Sequence, residues 1–188
     1  MPRSRRLGPF DIIGLTLAAV LVAGFLGVRW IGQQLGLVDP PKPAVVAEVS
    51  IPANPKWVKI VDGDTILFDD MKVRLHGIDA VENTQKCISQ YGRSYSCGLE
   101  ATSALRELTM GKTIRCDDTG KRDRWNRVIA VCWAGQVELN RKMVELGHAV
   151  AFLKYSHDYI EFEREARNAK RGIWAGQFQE PWEYRRVK

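Results

Sequence analysis

VDGDTILFDDMKVRLHGIDAVEN (residues 61–83) alternates apolar and polar positions with the period of half-buried strands. Ile66, Phe68, Val73 and Leu75 are the apolar members, and FDDM reads as the turn between two strands. The same stretch carries Asp62, Asp64, Asp79 and Glu82 around a single arginine, Arg74. Asp62-Gly63 is a turn signal, so Asp62 is first of all a turn residue. Asp64 stands where a strand should begin, and aspartate is poorly suited to strands. A local misfit of this kind is where function is to be sought. Asp79 and Glu82 follow the third strand and are placed to face Asp64 across the sheet. Converging carboxylates would repel one another without a hard cation, and an oxygen-only donor set suits Ca2+. Arg74 sits between inward-pointing Val73 and Leu75 and so projects from the other face. Beside such a cluster its fork matches two oxygens of a phosphate.

Outward from this stretch, WVKIV, TILFD and KVRLHGI read as three successive strands. CGLEATSALRELTMGK repeats Leu99, Ala101, Leu105 and Leu108 at helical spacing and ends at Gly111. KTIRCDD and RVIAVCW predict two more strands around a loop, with Arg127 opening the second of them and offering another guanidinium. VELNRKMVELGH predicts a helix closed by Gly147, and DYIEFEREARNAKRGIW a third, with apolar Ile160, Phe162 and Ala166 and a stop at Gly172. Five strands with one helix inserted and two appended fit an α+β fold, a five-stranded Greek-key OB barrel.

The four cysteines, Cys87, Cys97, Cys116 and Cys132, allow three pairings. A hairpin would set Cys116 opposite Cys132 at disulfide distance and leave Cys87 with Cys97. The pairing stays open at this level. Zinc is disfavoured, since no CxxC pair is present and no histidine lies near them.

The N-terminal part has a different character. A basic head (1–9) precedes a charge-free apolar run, Ile12–Val28, of about 26 Å as a helix, close to a bilayer core of about 30 Å. Arg29, Trp30 and Ile31 suit the interface. The nearest small-x-small site ends at Ala47, too far beyond the apolar core for signal cleavage. The expectation is a single-pass signal anchor over 10–31, with the N-terminus inside and the bulk of the chain periplasmic or extracellular. Residues 39–55 hold five of the chain's eight prolines, an extended linker (32–54) leading into a domain at 55–188. The chain carries a net charge of +6, and residues 53–188 hold 23 of its basic and 19 of its acidic residues, a net of +4. That balance favours anionic partners without demanding nucleic acid.

VDGDT, VRLHGIDAVE, DRWNRVIAVC and NRKMVELGHAVAF, in this order and spacing over residues 56–176, resemble the thermonuclease (staphylococcal nuclease-like) family. The closing AKRGIWAGQFQEPWEYRR looks like the end of its exported bacterial members. The resemblance implies an OB-fold, calcium-dependent nuclease cutting DNA and/or RNA. It implies Asp64, Asp79 and the backbone carbonyl of Ala80 as calcium ligands, with Glu82 acting through water. Glu82 would be the general base, Arg74 and Arg127 would clamp the scissile phosphate, and Asp62 and Thr65 would support them from behind. Two places depart from the family pattern. Val81 stands where a proline is usual, which loosens the loop carrying Glu82. Trp125-Asn126 replaces Tyr-Gly; tryptophan still stacks on a base, and asparagine tolerates a positive φ. Tyr155, in KYSHDY (154–159), is a further candidate for the nucleotide groove. His76 shares the face of Arg74 but is not assigned a role, and Trp174 and Trp182 read as packing.

Two other classes compete. One is an OB module, weak or inactive in catalysis, binding single-stranded nucleic acid or a periplasmic partner. The other is a structural envelope protein, which leaves the acidic cluster unexplained. Partners expected are DNA and/or RNA and a lipid bilayer, with no obligate protein partner.

Overall fold

The first hairpin forms where the alternation placed it. In the computed structural model, which describes residues 55–187, β1 (Val58–Asp62) pairs antiparallel with β2 (Thr65–Phe68), and β2 with β3 (Met71–Leu75). Ile66, Phe68, Val73 and Leu75 are buried, so one face of the meander is core. Asp69 makes the turn at φ 52°, and its Oδ1 accepts the Trp57 amide at 3.1 Å.

The run KVRLHGI, expected as one strand, is two. Gly77 takes φ 72° and turns the chain out of the first sheet. Residues Ile78–Ala80 then form β4, which pairs with β10 (Ala149–Ala151) instead. A short hairpin follows, β5 (Cys87–Ile88) and β6 (Ser94–Tyr95), and then α1 (Cys97–Thr109). Next come β7 (Ile114–Arg122), β8 (Val128–Ala134), β9 (Val137–Glu138), α2 (Leu139–Glu145), β10, α3 (Ile160–Asn168), a 3-10 turn (Gly172–Ala175) and α4 (Pro181–Arg186). The main sheet runs β1-β2-β3-β8-β7, with β9 added to β8. β3 and β8 are its parallel pair, and its other pairs are antiparallel. This is the Greek-key path of an OB fold, with α1 packed against β1.

The core lies between the sheet and the helices, where Phe68, Leu75, Leu105, Leu139 and Met143 are fully buried. Leu99 departs from the expected face of α1 and is exposed. It stands two residues before Ala101, about 200° around the helix from the buried row of Ala101 and Leu105. α3 ends at Asn168, earlier than its apolar spacing predicts, and Gly172 opens the 3-10 turn. α4 is additional to the three predicted helices and begins with Pro181 in its first turn, a favourable place for proline.

Both disulfides follow from the folding of the strands. Cys116 and Cys132 are directly opposed in the β7–β8 register and bonded. Cys87 in β5 is bonded to Cys97, the first residue of α1. The predicted head, anchor and linker (1–54) lie outside the described residues.

Candidate active site

Asp64 is the last residue before β2, so the chain leaves the Asp62-Gly63 turn with this carboxylate directed inward. The Asp64 amide donates to Asp62 Oδ1 at 3.1 Å, so the Asp62 side chain closes the turn. Asp64 itself is buried. Its Oδ2 accepts the Ala80 amide at 2.7 Å, and its Oδ1 accepts the Thr65 hydroxyl at 3.2 Å and Arg74 Nη1. Asp79, in β4, is fully buried and accepts Arg74 Nη2. One guanidinium therefore bridges two buried carboxylates.

Arg127 enters from the start of β8. Its Nη1 donates to Thr65 Oγ1 at 3.3 Å, and its Nε pairs with Asp123 at 2.6 Å. Thr65 is thus the link between Asp64 and the second arginine. Glu82, on the loop after β4, is partly exposed and accepts Arg185 Nη1 at 2.6 Å. Arg185 also holds Asp79 through both nitrogens, at 3.0 and 2.8 Å. Asp64, Asp79, Glu82, Arg74 and Arg127 are brought together on one side of the barrel.

Burial dominates the electrostatics. It pushes the Asp64 carboxyl well above the usual carboxylate range, with the charges of Asp62 and Asp79 adding to the rise and Arg74 opposing it. Burial also works against the charge on Arg74, but Asp64, Asp79 and Asp62 outweigh it and keep the guanidinium protonated. Among the described residues no three acidic, histidine or cysteine side chains form a ready metal cluster. Guanidiniums are interleaved with the carboxylates: Arg74 between Asp64 and Asp79, Arg185 between Asp79 and Glu82. The donors themselves are all oxygen, from two buried carboxylates that stand close enough to share Arg74. In donor chemistry they fit a hard divalent ion.

The loop before β8 is organised by Asp123, whose Oδ1 accepts the amides of Trp125 and Arg127, each at 3.0 Å. Burial would raise this carboxyl, but the hydrogen bonds from Arg127 prevail and hold it low. Asn126 adopts φ 61°, the conformation for which asparagine substitutes for glycine. Trp125 is exposed, with the Arg124 and Arg127 guanidiniums 4.0 and 5.0 Å from its ring centre. Tyr155 is exposed too and stands edge-on to Phe152, which stacks on Trp182. The His76 ring feels Lys121 and Asp158, not the acidic cluster.

Three residues of this arrangement escape a reading of the sequence: Asp123, Arg185, and Gln85, whose side-chain oxygen accepts the Glu82 amide at 3.1 Å. Asp123 had a local signal, since aspartate opening a tight loop commonly caps it. A buried glutamine three residues past Glu82 and an arginine near the C-terminus had none.

The comparisons agree with the geometry. The model for staphylococcal nuclease homologues matches residues 72–176. The chain is 31% identical over 181 residues to the succinoglycan biosynthesis protein ExoI of Rhizobium meliloti (strain 1021), covering 94% of this chain and 83% of that one. It is 33% identical over 166 residues to a micrococcal nuclease of Shigella flexneri, covering 77% and 89%. To the thermonuclease of Staphylococcus hyicus it is 26% identical over 132 residues, covering 64% and 75%. The chain belongs to the staphylococcal nuclease family, and with it to the hydrolases that act on phosphodiester bonds.

Proposed function

We propose that the chain is a calcium-dependent endonuclease of DNA and/or RNA that works outside the cytoplasmic membrane, tethered by residues 10–31. The observation that carries this reading is the paired arrangement of Arg74 across Asp64 and Asp79, with Arg127 joined to it through Thr65. Carboxylates for a cation and guanidiniums for a phosphate lie side by side, an arrangement suited to phosphodiester hydrolysis.

Asp64, Asp79 and the Ala80 carbonyl would hold the calcium ion, with Glu82 reaching it through water. Bound there, the ion would supply Lewis-acid stabilisation of the charge on the phosphoryl oxygens. Glu82 orients a water and takes its proton as the oxygen attacks phosphorus, the ester P–O bond breaks, and the departing oxygen takes up a proton from solvent. Arg74 and Arg127 hold the non-bridging oxygens and stabilise the charge that grows on them. Trp125 and Tyr155, both exposed, offer rings to bases flanking the scissile bond.

The test is degradation of single-stranded DNA and of RNA by the full-length chain in detergent. Calcium-dependent cutting, abolished by chelator and reduced about 100-fold or more by Glu82→Gln, is the expected result. If the oxidised, folded wild type binds the strand but does not cut it, the binding-module reading replaces this one.

A further inference from the structure

Arg185 lies in α4, 103 residues along the chain from Glu82 and beyond the matched span 72–176. Its Nη1 reaches Glu82 Oε1 at 2.6 Å and Asp79 Oδ1 at 3.0 Å, while its Nη2 reaches Asp79 Oδ2 at 2.8 Å. One planar fork thus ties a partly exposed carboxylate on a loop to a fixed one in a strand. Asp79 is fixed because β4 is paired with β10 and the side chain is fully buried.

The rest of the C-terminal segment grips the same loop. Gln85 is buried, accepts the Glu82 amide at 3.1 Å and donates to the Gln179 carbonyl at 2.6 Å. The Tyr184 hydroxyl lies 3.2 Å from the Thr84 carbonyl and 3.3 Å from the Thr84 hydroxyl. Trp182 anchors α4 by stacking on Phe152 at 5.9 Å. The loop therefore meets residues 179–185 through Glu82, Thr84 and Gln85. No proline constrains residues 81–86, so the backbone of this loop is held by these contacts.

We infer that Arg185 is a positioning residue that holds Glu82 against Asp79, making α4 a part of the catalytic site. A third clamp on the phosphate is the rival role; loss of a clamp would raise KM or persist in the Glu82→Gln background, whereas loss of a positioning group acts through Glu82. The inference rests on the reading of Glu82 as the base, and its effect should therefore fall on turnover and pass through Glu82.

The experiment uses the full-length chain in detergent, as wild type, Arg185→Ala, Arg185→Lys, Glu82→Gln and the Arg185→Ala/Glu82→Gln double variant. Arg185→Ala is expected to lower kcat about 10- to 100-fold with KM changed less than about twofold, the signature of a displaced group. Arg185→Lys should recover part of the loss, because an ammonium can hold one carboxylate but not fork across two. In the Glu82→Gln background, Arg185→Ala should cost less than about twofold more, since residues that act as a unit are not additive. Hydrogen exchange supplies a readout independent of activity. Amides of residues 82–86 should exchange about tenfold faster in Arg185→Ala, with those of β2 and β3 unchanged. Equal losses in both backgrounds, a rise in KM alone, tighter calcium binding with faster turnover, or unchanged exchange at 82–86 would each overturn the inference. A wild type that does not cut at all refutes the nuclease reading instead, while the exchange comparison still reports on the clamp.

Discussion

Arg74 is the residue whose loss should cost most. It is the shared partner of Asp64 and Asp79, and both carboxylates are buried. Replacing it by methionine leaves buried Asp64 without its guanidinium while Asp79 keeps Arg185, and breaking a buried pair in this way typically costs about 3–5 kcal/mol. Urea unfolding of Arg74→Met without added metal checks this. The histidines offer a pH test. Burial, the largest cause, lowers the pKa of His148 against the pull of Glu107, and lowers that of His76 with Lys121 adding to it. The folded state therefore binds fewer protons than the unfolded chain as the medium turns acid. The stability concerned is present above the ordinary imidazole value of about 6.5 and is lost as pH falls through the depressed one. The wild-type melting temperature should fall more between pH 7 and pH 5 than that of His148→Gln. Arg74, Arg127 and the acids around them were legible because each lies in a short motif whose strand register is local. His76 was not, since alternation alone tells nothing of which remote charges a ring will meet.

At the scale of elements, the site depends on how closely α1 approaches the loop after β4. A Cβ built on Gly98 would lie 1.8 Å from the Glu82 carbonyl oxygen, so no side chain fits there without moving the loop. Gly98→Ala should destabilise the domain by about 1–3 kcal/mol and slow turnover by shifting Glu82. Denaturant unfolding and steady-state kinetics on the same variant read the two effects. The Cys87–Cys97 bond closes this region from the other side, joining β5 to the start of α1. Its loop-closure contribution is about 3 kcal/mol, so Cys87→Ser with Cys97→Ser should lower stability by roughly that amount. The helices and most strands were visible as periodicities. The break at Gly77 was not, because one glycine between apolar residues is compatible with a continuous strand until β10 arrives to pair with β4.

For the whole molecule, the proposed tether makes a prediction separate from the chemistry. The full chain should sediment with membranes and resist carbonate extraction, as an apolar helix spanning a bilayer does. A chain lacking residues 1–52 should remain in the supernatant. Loss of calcium-dependent cutting on truncation would speak against the linker reading of 32–54. Substrate affinity should also fall with added salt, as expected of phosphate contacts made by arginines.

Alternation, turn residues and helical spacing determined by themselves a small OB-type barrel with Asp64, Arg74, Asp79, Glu82 and Arg127 as its candidate site, and the resemblance of the ordered motifs to thermonucleases implied a nuclease. Those features are decided by neighbours within a strand or a helical turn, so they can be read along the chain. Only the tertiary structure decided what balances the buried carboxylates and what holds the loop of Glu82. Arg185 and Gln85 act across long separations, and a buried charge takes the nearest compatible partner in space, wherever in the sequence that partner lies.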